Sequence, residues 1–286
     1  MREPLPIAVA QLDARPGELA ANAERVAVSA LAAAVPLLLT PELSLTGYDV
    51  RDAAASLARA CPVGERLDSS FAALAAAPGL IGAGLIERGE DDVPYNVIAL
   101  IERGCVRYLH RKLYLPTYGM FDEGRYFGRG DRIQPVPLPN GWLGGFLICE
   151  DFWHPALAYV LAAAGVDVIC VAAAAPGRGV WDNGAHGDFA SADAWERIAR
   201  TTAQLYGVYV LLANRVGVEG GVTFAGGSLI VGPSGDVIAR GSTHEPVLLR
   251  ATLDPAELAR ARRPACHGRD DRPELVVREL RRLELA

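Results

Sequence analysis

The chain has 286 residues, of which 51% are apolar and 22% charged, so it is not intrinsically disordered and has ample material for a large core. A net charge of −6 argues against a nucleic-acid partner, which calls for a basic face. The five cysteines are odd in number and form no CxxC pair, which favours neither a disulfide scaffold nor a zinc knuckle.

In chain order, short apolar strands alternate with Ala-rich helices. Pro6–Leu12 reads as a strand, and Glu18–Ala34 as a helix with Pro16-Gly17 ahead of it. Val35–Thr40 is a second apolar run, with Glu42 directly after it. Asp52–Ala60 and Leu67–Ala77 read as short helices, and Leu80–Glu87 as a strand. Asn96–Glu102 and Cys105–Arg111 form a hairpin around Arg103-Gly104. Trp142–Cys149 is a strand, followed by a helix that opens near Pro155. Val166–Val171 is a strand, Asp188–Tyr206 a helix and Val208–Ala213 a strand. Ser228–Val231 and Asp236–Arg240 flank a Gly-Pro-Ser-Gly turn. Pro246–Leu253 is the last strand, and Asp254-Pro255 caps a final helix.

Leu157–Ala175 imitates a membrane span, but Gly165 and Asp167 break it and no basic residues cluster at its ends. It reads better as a helix and a strand. The N-terminus shows no signal-peptide core, so a reducing, cytoplasmic setting is expected. The C-terminal arginines are interleaved with acids, as on a solvated helix face. The mixture of βα alternation with hairpins points to an α/β (α+β) fold with helix-covered sheets containing antiparallel pairs.

Three places put a reactive group straight after an apolar strand, where α/β folds build their sites. Glu42 stands in an apolar stretch, and a carboxylate buried there needs a partner or a raised pKa, as a general base does. Taken alone, it reads more readily as a strand-end glutamate exposed in a loop. Lys112 follows the hairpin; once buried it suits a developing oxyanion, and exposed it is an ordinary surface lysine. Cys149 ends a strand just before a helix, a turn that exposes a nucleophile and aims backbone N–H groups at an oxyanion. The alternative is a small buried hydrophobe, which is the reading for Cys105 and Cys170. Cys61 and Cys266 lack such a context. His154 lies close enough in sequence for a Cys–His pair to be weighed. The histidines give no metal spacing, and no metal or organic cofactor is expected.

Jointly these residues carry more than any one of them. Pro41-Glu42 with Gly47-Tyr48, Arg111-Lys112-Leu113 and Ile148-Cys149-Glu150-Asp151 resemble the glutamate, lysine and cysteine motifs of the carbon–nitrogen hydrolase (nitrilase) superfamily. Ala213–Gly217 and Phe224–Ser228 add later matches, and the resemblance runs from about Pro6 to about Leu253. Lys112–Phe127 and Cys149–Pro155 are similar to the glutaminase domain of glutamine-dependent NAD synthetases. Glu150 stands where true nitrilases usually carry tryptophan, which favours amides over nitriles. Two departures accompany this: there is no nucleotide-binding P-loop, so no synthesis of NAD is expected, and Ala172–Gly179 replaces the polar Ser-rich segment that helps hold glutamine.

The resemblance implies a four-layer αββα sandwich forming a single domain over residues 1–286, with a core at about 6–253 and a helical extension at 254–286. It implies a thiol amidohydrolase with Glu42, Lys112 and Cys149 as catalytic residues. Glu123 would orient the substrate or Lys112, and the backbone N–H of Glu150 would serve the oxyanion. Tyr118 and Phe121 would line the pocket, with Trp153 near it. The expected partners are a small linear amide and further copies of the chain, with neither nucleic acid nor membrane. A nitrilase proper, a glutaminase-type subunit and a non-catalytic binding module are the alternatives.

Overall fold

The computed structural model describes residues 2–179, 189–263 and 267–285. Strand β1 (Leu5–Gln11) leads to α1 (Leu19–Ala33) and β2 (Leu37–Leu39). The short α2 (Ala54–Leu57) precedes β3 (Leu80–Arg88), β4 (Pro94–Glu102) and β5 (Cys105–Arg111). Then come the one-turn α3 (Glu123–Tyr126), β6 (Val136–Pro137), β7 (Leu143–Ile148), α4 (Pro155–Ala163), β8 (Val168–Ala173), α5 (Ala190–Tyr206) and β9 (Tyr209–Asn214). A ribbon of β10 (Val218–Glu219) and β11 (Val222–Thr223) precedes β12 (Leu229–Val231), β13 (Val237–Arg240) and β14 (Val247–Leu253). Helices α6 (Pro255–Arg262), α7 (His267–Asp270) and α8 (Pro273–Arg282) close the chain.

The strands form two six-stranded sheets besides the ribbon. Their orders are β14-β1-β2-β3-β4-β5 and β13-β12-β9-β8-β7-β6. Parallel pairs β1–β2–β3 and β7–β8–β9 occupy the middles, where helical crossovers connect them. Antiparallel pairs complete each sheet, and the last strand, β14, pairs with the first along its whole length.

Side-chain alternation explains the layering. Leu5, Ile7 and Val9 of β1, Leu37 and Leu39 of β2, and Ile98 and Leu100 of β4 point inward. They share one core with Phe146, Ile148, Ile169 and Val171 of the second sheet. The opposite faces of the same strands carry Ala8, Ala10, Ala83 and Ala99, which pack against Leu19, Ala23, Val26 and Ala30 of α1. Small residues on both sides let the helix lie close to the sheet. Ala158 and Leu161 of α4, with Trp195 and Ala199 of α5, cover the outer face of the second sheet. The result is an αββα sandwich. Among the described residues, no helix is long and apolar enough to cross a membrane.

Local signals act as expected at several ends. Helix α5 stops at Gly207 in the left-handed region, whose N–H bonds Ala203 O. Asp254 caps α6 by accepting from Ala256 N, with Pro255 in the first turn. The start expected for α5 at Asp188 lies outside the described residues, as do His186 and Cys266.

Elsewhere alanine content overstated helix. Asp52–Ala60 is a 3₁₀ turn plus the four residues of α2, and Leu67–Ala77 is a 3₁₀ stretch at Ser69–Ala76, kinked at Phe71. Both lie on the surface of the first sheet, where Ala54, Phe71 and Leu74 are buried singly and no continuous helical stripe is needed.

Candidate active site

Glu42, Lys112 and Cys149 each follow a strand that points toward one end of the sandwich. Glu42 comes three residues after β2, Lys112 directly after β5, and Cys149 directly after β7. Strand β3 makes room for the first of these. A Cβ on Gly84 would stand 2.2 Å from Leu43 N and 2.7 Å from Pro41 O, so only glycine lets the Glu42 turn lie on the strand.

Lys112 Nζ donates to Glu42 Oε1 at 2.7 Å and sits 2.7 Å from Glu123 Oε2, in a pocket where Lys112 and Glu42 are 0% and 1% exposed. Asn96 Nδ2 also donates to Glu42 Oε1 at 2.8 Å, and Ala174 N donates to Oε2 at 3.0 Å. Tyr48 OH donates to Glu123. The ammonium has three N–H donors. Two are spent on the carboxylates, which leaves one for a ligand.

Charges explain the protonation states. Burial opposes the Lys112 ammonium, but Glu123 and Glu42 outweigh it and hold its pKa well above the ordinary value. Burial pushes the Cys149 thiol well above the usual thiol range. Glu42 adds to this, whereas Lys112 and the Ala174 N–H work in the opposite sense. The resting sulfur is therefore a neutral thiol beside a charged lysine. Burial raises the Tyr48 hydroxyl strongly, helped by Glu123, so it stays a donor.

Glu123 is raised to about 7, first by burial and then by Glu42, with Lys112 opposing. Between the ordinary value of 4.5 and about 7, the folded chain holds a proton on Glu123 that the unfolded chain has lost. This group therefore costs stability as pH rises through that window, at up to roughly 1.4 kcal/mol per pH unit. Glu123→Gln, which carries no titrating proton, should flatten the fall in Tm between pH 5 and 7 relative to the parent. Parallel Tm curves for the two proteins would contradict the assignment.

Cys149 has a backbone φ of +46° and opens a 3₁₀ turn over Cys149–Trp153. Positive φ in a non-glycine residue is strained, and such strain gathers at functional sites. The turn is also what separates the other expected residues. Glu150 stays at the mouth, where its Oε2 accepts from Tyr118 OH at 2.7 Å. Phe121 packs edge-on against both Tyr48 and Tyr118, and the exposed Arg178 guanidinium lies 5.4 Å over its ring. Trp153 is carried to the helix side. Its ring packs on Trp195 of α5 and lines the groove between α4 and α5 with Arg197 and Leu205. The structure therefore does not bring Trp153 to the cluster, because one turn beyond Cys149 the chain already faces the outer layer. His154 stacks on Tyr114 and lies 3.7 Å from Glu150, so it is not paired with the thiol.

Three contributors escaped the sequence reading. Asn96 is a lone amide in an apolar strand, a signal visible in the sequence. Tyr48 and Asp151 were quoted only as parts of motifs. No three His, Cys, Asp or Glu side chains among the described residues are grouped as a metal would require.

The sequence profile of the carbon-nitrogen hydrolase family matches residues 6–263. A glutamine-dependent NAD(+) synthetase from Thermotoga maritima is 32% identical over 260 residues, which is 87% of this chain and 42% of that protein. The chain thus spans less than half the length of that relative. A Pseudomonas protegens protein named hydrolase in pqqF 5'region is 34% identical over 275 residues, covering 94% of this chain and 90% of its own. The amidase from Nesterenkonia sp. AN1, in a structure showing Michael addition of acrylamide at its active site cysteine, shares 25% identity. Its TM-score is 0.72, with 92% and 98% of the two chains covered.

Proposed function

Because the chain belongs to the carbon-nitrogen hydrolase family, we propose that it hydrolyses a linear, non-peptide amide to a carboxylic acid and ammonia through a thioester on Cys149. The observation that carries this reading is the buried lysine gripped by two glutamates, with a buried, strained cysteine in electrostatic reach of all three. Such a group of charges is costly to bury, and structure alone could be built more cheaply from apolar residues.

The steps follow from the geometry. Glu42 Oε2, which accepts from the Ala174 N–H, takes the thiol proton. The sulfur forms a bond to the amide carbon, and the carbonyl π electrons move to oxygen. The free N–H of Lys112 and the Glu150 N–H at the head of the 3₁₀ turn receive that oxyanion. Glu42 then protonates the nitrogen, the C–N bond breaks and ammonia leaves. A water gives its proton to Glu42 and attacks the thioester. Collapse releases the acid, and the proton returns to sulfur. The covalent intermediate divides one hard step into two easier ones.

A second reading is a glutaminase-type subunit, which the 32% identity to a glutamine-dependent NAD(+) synthetase favours. Against it, Ala172, Ala173, Ala174 and Ala175 are buried and offer no side-chain donor for an amino-acid head. The test is ammonia release from glutamine, asparagine, short aliphatic amides, N-carbamoyl amino acids and nitriles. Release from amides other than glutamine supports the proposal. Release from nitriles with none from amides replaces it with a nitrilase, and release from glutamine selects the second reading.

A further inference from the structure

Glu42 and Lys112 hang from the first sheet and Cys149 from the second, and the two sheets share no strand pairing. Something other than a backbone ladder must therefore fix the lysine against the sulfur. Asp151, two residues beyond Cys149, is fully buried in that junction. Its Oδ1 accepts from Leu113 N at 3.0 Å and Tyr114 N at 2.9 Å, the two amides immediately after Lys112. Its Oδ2 accepts from Ile148 N at 3.0 Å, the amide just before Cys149, and lies 3.3 Å from Nε2 of the buried His110. Every bond that this carboxylate makes thus ends on a residue flanking Lys112 or Cys149.

We propose that Asp151 is a positioning residue that locks the lysine-bearing end of β5 to the cysteine-bearing end of β7 and so sets the Lys112-to-sulfur geometry. A buried carboxylate is expensive, and three backbone N–H donors plus an imidazole N–H offset that expense here. An apolar side chain would fill the space but orphan three backbone donors. His110 completes the set: with its proton on Nε2 facing Asp151, Nδ1 finds no partner among the described residues. The proposal rests on the reading of Cys149 as the nucleophile.

The test uses the full-length chain and iodoacetamide, which alkylates the Cys149 thiolate with loss of iodide and so needs no knowledge of the substrate. The rate is followed against pH, with Tm measured in parallel. Asn at position 151 is nearly isosteric, yet whichever way its amide turns, its NH₂ faces at least one backbone N–H. Asp151→Asn should slow alkylation at neutral pH about tenfold or more, and move the midpoint of the profile to higher pH. A displaced Lys112 no longer favours the thiolate against burial, Glu42 and Glu123, and an ångström of misplacement costs about 10²-fold in a reaction that depends on positioned groups. His110→Phe removes one donor and leaves the three backbone bonds, so it should shift the profile in the same direction by less. A lowered Tm with the rate and midpoint of the folded protein unchanged in both variants would overturn the proposal and leave Asp151 a structural residue. If iodoacetamide modifies Cys149 of the parent chain at no pH, the nucleophile reading itself falls.

Discussion

The Cys149→Ala variant should fold and should release no ammonia or acid from any amide that the parent chain hydrolyses. Alanine keeps the backbone as it is, since Cys149 already sits at φ +46° and either residue bears the same strain there. The change removes a neutral thiol that makes little packing contribution beyond one atom, so Tm should stay within a few degrees. Activity should fall by about 10⁵-fold or more, because the residues of a covalent catalytic unit act together and deleting the nucleophile removes nearly all of the unit's effect. Glu42 and Lys112 remain in place in this variant, and a measurable residual rate would report what they achieve without a nucleophile.

Lys112→Met should damage both stability and activity. It leaves Glu42 and Glu123, 1% and 5% exposed, facing one another without the cation between them. Breaking a buried ion pair by removing one partner costs about 3–5 kcal/mol. At about 2–4 °C per kcal/mol for a chain of this size, Tm should drop by roughly 10 °C. The sign with pH is defined. Lys112 holds the raised Glu123 pKa down, so without it that pKa rises further in the folded state and the folded chain binds more protons than the unfolded one. The variant should therefore recover stability as pH falls toward 5, and lose it as pH rises. Activity should fall by 10²–10³-fold at least, the usual cost of one oxyanion donor, and should not return on acidification. Full recovery of turnover at low pH would mean that Lys112 only neutralises its neighbours.

Position relative to a strand was what made the candidate residues legible. Glu42, Lys112 and Cys149 each stand where an apolar run stops, and a polar group there has to face the end of the sandwich. The layers were legible because the central strands are apolar on both faces, as strands between two layers must be, whereas α1 and α5 carry one buried face each. What stayed hidden depended on tertiary pairing. Nothing in Pro246–Leu253 says that it lies along β1, and nothing near Asp151 says that its carboxylate spans two sheets. Trp153 lies in the α4–α5 groove because a 3₁₀ turn rotates successive side chains by about 120°, so four steps beyond Cys149 leave it about a third of a turn away from the face of the thiol. The short helices at 52–60 and 67–77 were overdrawn because alanine favours helix in isolation, whereas these segments need only single buried anchors.

In the proposed reaction an acyl group passes through the sulfur of Cys149. Mass spectrometry of the protein, acid-quenched during turnover of an amide it hydrolyses, tests this most directly. An adduct with the mass of the acyl group is expected on the peptide bearing Cys149, formed as ammonia is released and lost as acid appears. Steady ammonia release with no adduct at any time, together with undiminished turnover by Cys149→Ala, would contradict it.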